Sequence, residues 1–211
     1  MGDGVIGALD ALQIVCGIYR EIVTVKTMKN NKQFLLIILS GITTSLAFPP
    51  VNWNLFLFFA PALGWRYAIG DNPRVSALRM AIWGGTFATM LGWHAIPTLT
   101  QQSMSFGLCA ILIMIMWTGL WHSIWGWITN MFAHKLVQFI LISSSFWTSI
   151  AWLRSLGTLG FPWGMLSLAL TDCPILLQPS DIGGIWFVEW LVVAWNTGLA
   201  VMTRQRKLSI L

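Results

Sequence analysis

Charge is what this chain has least of. Twelve Lys and Arg and seven Asp and Glu make up 9% of its 211 residues. Residues 33–65, 80–134 and 136–153 hold none, leaving uncharged runs of 33, 55 and 18 residues. A water-soluble amphipathic helix keeps charged or polar side chains on its outer face, so runs of this length exclude an ordinary soluble domain. They suit helices that cross a hydrocarbon core of about 30 Å with roughly 20 apolar residues each. Cysteine is scarce as well. Cys16, Cys109 and Cys173 lie far apart, with no C-x-x-C pair and no His/Cys spacing suited to a metal, which argues against a disulfide framework or a zinc site. His94, His122 and His134 are likewise dispersed. No internal repeat or low-complexity tract is visible, so an inverted-repeat transporter gains no support. The N-terminus also makes an unconvincing signal peptide: Asp3 stands where a basic region belongs, and Asp10 and Glu21 interrupt any apolar core.

What is present is apolar and aromatic, 56% hydrophobic residues with 14 Trp. The expected fold is all-α, a polytopic transmembrane helix bundle of about six spans with an outer-face interfacial or re-entrant cap. Prolines, glycines and charges place the spans at about 33–48, 55–67, 80–96, 106–128, 136–153 and 182–202. Pro49-Pro50 closes the first, and Pro61 is expected to kink the second. Residues 155–181 contain Pro162, Pro174 and Pro179 and no apolar run long enough to cross. They form the cap, whose irregular backbone must be buried in protein. Residues 1–32 are a leader and 204–211 a basic tail. Within the leader, residues 4–25 read as an amphipathic helix lying in the interface. A poorly ordered leader, or a start at Met28, remains the alternative.

The net charge of +5 is not a nucleic-acid footprint, and no nucleic-acid partner is expected. Eleven of the 12 Lys and Arg fall on one face of the six-span layout, with Arg154 alone on the other. The positive-inside rule then puts both termini in the cytoplasm. The tryptophans at 53, 65, 93, 117, 121, 125, 127, 147, 152 and 163 read as an aromatic belt at the two interfaces.

Chemistry is concentrated around the cap. Trp152-Leu153-Arg154 leads into Gly157-Thr158-Leu159-Gly160-Phe161-Pro162-Trp163-Gly164. Arg154, as the one basic residue on the outer face, can hold a phosphate by charge-assisted hydrogen bonds, or simply end a helix by snorkelling. Trp152, Phe161 and Trp163 supply interfacial anchors beside it. Glu189 is the one carboxylate inside a span, and Asn196 lies one heptad on, on nearly the same face. The pair reads as a lipid or substrate contact, or as a polar stripe between helices.

Phe146-Trp147, Trp152-Leu153-Arg154, Gly160-Phe161-Pro162-Trp163-Gly164, Pro174, Gln178, Asp181, Gly183-Gly184 and Asn196 together resemble the apolipoprotein N-acyltransferase family, as do Leu46-Ala47-Phe48-Pro49-Pro50 and Trp93. The resemblance covers about residues 34–205. It implies a bacterial inner-membrane protein whose family moves an acyl chain from phospholipid to the N-terminal diacylglyceryl-cysteine of lipoproteins. Phospholipid and the lipoprotein N-terminus are therefore the implied partners, and no cofactor is expected. The family also carries a nitrilase-like domain with a Glu–Lys–Cys triad, which this sequence does not show. The chain is accordingly expected to be the membrane portion, truncated or split from its catalytic half and inactive alone, with a separately encoded nitrilase-like domain as a further implied partner. No catalytic residue is assigned to it. Ala151 also departs from the family, which usually has Glu there. The alternative is a non-catalytic membrane lipid-binding scaffold or partner protein.

Overall fold

The computed structural model describes residues 31–70, 72–93, 101, 103–132, 136–157, 160 and 162–204. The leader up to residue 30, the tail from 205, His94, Lys135 and Phe161 lie outside the described residues. Residues 1–34 and 35–211 form separate units; the account below concerns the second.

Every regular element among the described residues is helical. Helix α1 (Asn31–Ser45) ends in a run of hydroxyls that bond back to their own helix, Thr44 Oγ1 to the Ser40 carbonyl at 2.7 Å and Ser45 Oγ to that of Ile42 at 2.6 Å. A turn through Pro49 and Pro50 returns the chain, with Trp53 N–H donating to the Leu46 carbonyl at 2.9 Å. The segment expected as the second span is not one rod. A 3-10 turn (Asn54–Phe58) breaks at Phe59, and a nine-residue helix α2 (Ala60–Ala68) follows. Pro61 opens α2 rather than kinking it. In the first helical turn its missing N–H has no intrahelical partner to lose.

Helix α3 (Pro73–Gly92) starts before the uncharged run, so Arg74 and Arg79 are helical and not in a loop. The reason is local: the Asn72 side chain accepts from Arg74 N–H at 2.9 Å and Pro73 fills the first position. Ser103 caps α4 (Met104–Met131) in the same way, accepting from Phe106 N–H at 3.1 Å. Helices α5 (Leu136–Arg154), α6 (Pro174–Leu177) and α7 (Ser180–Met202) complete the order. Three of these, α4, α5 and α7, are long and apolar enough to cross a membrane by length and composition.

The most extensive helix–helix seam joins α3 and α4, antiparallel and lined with glycine. A Cβ at Gly84 would lie 2.7 Å from the His122 ring, and one at Gly126 2.9 Å from the Ser76 carbonyl oxygen. Small residues matter here because lipid tails are as apolar as side chains, which leaves close packing to hold membrane helices together.

The aromatic residues do not all sit in a belt. Trp65, Trp83, Trp125 and Trp147 are buried, with Phe87 and His122 among them. Trp65 lies 4.9 Å from Trp125 and 5.1 Å from Trp147, ring centre to ring centre, and His122 lies 4.9 Å from Trp147. These three pairs meet tilted or edge-on, while Trp83 and Phe87 stack at 5.3 Å, with edge-on and offset-stacked pairs being what aromatic quadrupoles favour. Trp53, Trp93, Trp127 and Trp152 remain at the surface.

Candidate functional site at the cap

Among the described residues two short 3-10 turns, Asn54–Phe58 and Leu166–Leu170, interrupt the helices. Each leaves backbone groups that a regular helix would satisfy, and neither turn nor the start of α2 has a side-chain cap of its own. Helix α7 provides for both. The Glu189 carboxylate, 0% exposed, accepts from Leu166 N–H at 3.1 Å, Ser167 N–H at 2.7 Å and the Trp147 indole N–H at 2.6 Å. It caps the turn across the tertiary structure, where Met165 at the N-cap has no side chain able to. Seven residues on, Asn196 does likewise. Its Oδ1 accepts from Ala62 N–H at 3.2 Å and its Nδ2 donates to the Leu57 carbonyl at 2.9 Å. One face of α7 thus fastens the cap at one level and the first hairpin at another. Trp195 adds a bond to the Phe58 carbonyl at 2.7 Å, and Asn54 Nδ2 joins the two turns through the Ala169 carbonyl.

Arg154 ends α5 and turns inward. It is 6% exposed, and its Nη2 donates to the Trp163 carbonyl at 2.7 Å. That carbonyl belongs to the turn in which Met165 N–H donates to the Pro162 carbonyl at 3.3 Å. Gly164 sits third in that turn at φ +81°, a backbone angle that suits glycine. Arg154 Nε is buried with no hydrogen-bond partner, as is Nε1 of Trp121. Both residues line a small cavity of about 10 Å³ together with His122, Trp147, Ala151 and Glu189, about the space of one water. His122 Nδ1 lies 2.7 Å from the Thr118 carbonyl of its own helix. When that nitrogen carries the proton, Nε2 is the acceptor.

The sequence-predicted residues therefore separate. Arg154, Trp163 and Glu189 converge on the cap. Asn196 sits lower, against the first hairpin. Trp152 is 50% exposed and outside the cavity, and Phe161 is outside the described residues. Sequence reasoning passed over His122 and Trp147 as site residues. His122 had a signal, as an ionisable side chain inside a 55-residue charge-free run. Cys109 is exposed on α4 and Cys173 sits half-buried before Pro174, and neither lines the cavity.

The end of α7 nearest the cap is bent at Gly183-Gly184. Gly184 takes φ 69° and ψ −172°, a region essentially closed to other residues. The bend lets the cap run into α7 while Glu189 keeps its aim at residues 166–167.

The sequence was compared with known proteins. Apolipoprotein N-acyltransferase of Geobacter metallireducens is 23% identical over 180 residues, covering 80% of this chain and 33% of its own length. The namesake from Rhodopseudomonas palustris is 28% identical over 180 residues, covering 81% and 34%, and that from Rickettsia prowazekii 26% over 175 residues, covering 79% and 34%. The chain thus spans about a third of the length of these relatives. Residues 40–198 match the family model described as the apolipoprotein N-acyltransferase N-terminal domain. That match takes in both hairpin and cap, with Arg154, Glu189 and Asn196, and by it the chain belongs to the apolipoprotein N-acyltransferase N-terminal domain family.

Proposed function

We propose that this chain serves as the membrane domain of an apolipoprotein N-acyltransferase-like protein. In this reading it holds phospholipid and the N-terminal diacylglyceryl-cysteine of a lipoprotein at the outer face of a bacterial inner membrane. There a nitrilase-like domain carries out the acyl transfer. The observation that carries the reading is the fastened cap. A carboxylate within α7 and a guanidinium at the end of α5, both buried, are committed to holding the Trp163–Ser167 backbone, which fixes a platform at one end of the bundle. Trp152, exposed, and Trp163, half-buried, face lipid from this platform with Phe161 beside them in sequence, and Arg154 Nε, beside a cavity of about one water, offers a donor to a bridging water. Glu189 and Asn196 act in support, keeping the cap and the first hairpin in place.

The finer topology belongs to the same proposal. About six spans cross the membrane, both termini are cytoplasmic, and the cap lies outside. Helix direction supports an even count, since α3, α4, α5 and α7 run alternately toward and away from the cap.

Co-expression with the catalytic domain of a full-length relative, in a strain depleted of its own enzyme, tests the reading. Restored N-acylation of lipoproteins is expected, with the chain alone giving no acyl-enzyme at Cys16, Cys109 or Cys173. Two well-expressed, associated halves that fail to restore N-acylation would count against it.

A further inference from the structure

Four elements meet at the small cavity beside the cap: α4 through Trp121 and His122, α5 through Ala151 and Arg154, the cap through Met165, and α7 through Glu189. The role proposed above employs Arg154 and leaves Trp121 and His122 without a task. Trp121 is the unusual one. An indole on a spanning helix commonly turns its N–H toward the wet interface. This ring is half-buried, yet its Nε1 is buried and has no hydrogen-bond partner. Trp117 meets it edge-on at 5.5 Å from the same helix and steadies it. Arg154 departs in the same way. An arginine that ends a spanning helix can snorkel to water, but this one is 6% exposed, with Nη2 on the Trp163 carbonyl and Nε unpartnered.

Nearly all buried polar groups are hydrogen-bonded, and a lipid-embedded segment has no bulk water to make up the difference. Two orphaned donors whose side chains line one void therefore call for an acceptor inside it. The third group is itself an acceptor. A carbonyl cannot donate, so His122 Nδ1, 2.7 Å from the Thr118 carbonyl, is the nitrogen with the proton, and in the neutral ring Nε2 keeps its lone pair. The volume, about 10 Å³, admits one water and nothing as large as a phosphate or a carboxylate. A small anion would suit the two donors but not His122 Nε2, and it would share the cavity with the Glu189 carboxylate. A water both accepts and donates, and a buried water makes two to four such bonds.

We propose that the cavity is a binding site for a single water, which accepts from Arg154 Nε and Trp121 Nε1 and donates to His122 Nε2. Trp121 and His122 are then positioning residues. Through the water they hold the Arg154 guanidinium inward, on the Trp163 carbonyl, and tie the cap to α4 as Glu189 ties it to α7. That purpose rests on the platform role proposed for the cap, whereas the water itself requires no lipid and no acyl transfer.

Nuclear magnetic resonance of the full chain in detergent, isotopically labelled at nitrogen, reads the site without an activity assay. The indole N–H signal of Trp121 is identified by its loss in Trp121→Phe, and the Nε–H signal of Arg154 by its loss in Arg154→Lys. Both are expected to show a cross-peak to one long-lived water in the wild-type chain, and neither to move when bromide replaces chloride in the buffer. Ala151→Val and Ala151→Thr place side chains of one shape at the cavity wall, so both expel the water and only threonine returns a hydroxyl. The valine variant is expected to shift both N–H signals. Its folding equilibrium constant in sodium dodecyl sulfate is expected to be about tenfold below that of the threonine variant, as for one buried donor left unpaired. Should neither variant fold, the wild-type cross-peaks decide. Their absence from a folded wild-type chain, or signals that follow the halide, would overturn the proposal, as would valine and threonine variants of equal stability.

Discussion

A charged residue at the middle of a spanning helix costs about 2.5–3.5 kcal/mol on insertion scales. Glu189 offsets that cost through what it holds, two backbone amides at the start of a 3-10 turn and the indole of Trp147. Without water to take their place, each donor left unpaired costs about 1–3 kcal/mol. Glu189→Ala removes the acceptor from all three and is expected to destabilise the protein by about 3–5 kcal/mol, the range for breaking a buried charged network. Glu189→Gln keeps one acceptor oxygen but turns an NH₂ group toward a donor, so a smaller loss of about 1–3 kcal/mol is expected. Unfolding in sodium dodecyl sulfate, followed by tryptophan fluorescence, measures both. An alanine variant within about 0.5 kcal/mol of wild type would show that the cap does not depend on this carboxylate. Sequence alone marked Glu189 and Asn196 as one polar stripe because the heptad spacing is readable. What each would bind was not readable, since the partner N–H groups belong to turns whose breaks at Phe59 and Met165 depend on tertiary packing.

At the scale of elements, the seam between α3 and α4 distinguishes glycines that fill a contact from glycines that merely occupy a helix. A Cβ at Gly85 would meet Ile115 Cγ2 at 3.5 Å, an ordinary contact, whereas one at Gly126 would meet Met80 Cγ at 2.6 Å and the Ser76 carbonyl oxygen at 2.9 Å. Alanine favours a helix over glycine by roughly 1 kcal/mol, so Gly85→Ala is expected to be neutral or stabilising. Gly126→Ala must push two helix backbones apart and is expected to cost about 1–3 kcal/mol, as overpacking does. The same detergent unfolding experiment compares the two, and equal stabilities would mean that the seam tolerates separation. Helices were legible over residues 106–128 and 136–153, where long uncharged runs set them, and over 182–202, where Glu189 is the single charge. The start of α3 was less so, because charge was taken to end a helix although Asn72-Pro73 carries a clear start signal. The buried tryptophans were the hardest to anticipate. An indole near a helix end suits an interface, and only packing showed Trp65, Trp83, Trp125 and Trp147 turned toward one another.

For the whole molecule, the two ends of the bundle differ in kind. At one, Glu189 and Arg154 are spent on internal backbone and leave tryptophans outward; at the other, arginines gather around residues 66–70 with the chain's last described residue, Arg204, among them. In the proposed topology the positive-inside rule, applied without reference to function, puts the arginine end in the cytoplasm. Leu156, 46% exposed beside the cap, and Met202, 74% exposed at the arginine end, are suitable reporters because neither supports a buried contact. In a chain whose three cysteines are replaced by serine, Leu156→Cys is expected to react with a membrane-impermeant maleimide added to spheroplasts. Met202→Cys is expected to react only after permeabilisation. The reverse pattern would invert the molecule, placing the cap on the side where lipoprotein N-termini are not presented, and with it the proposed role would fail. Labelling of both from the same side would instead break the alternation of α3, α4, α5 and α7 on which the even span count rests.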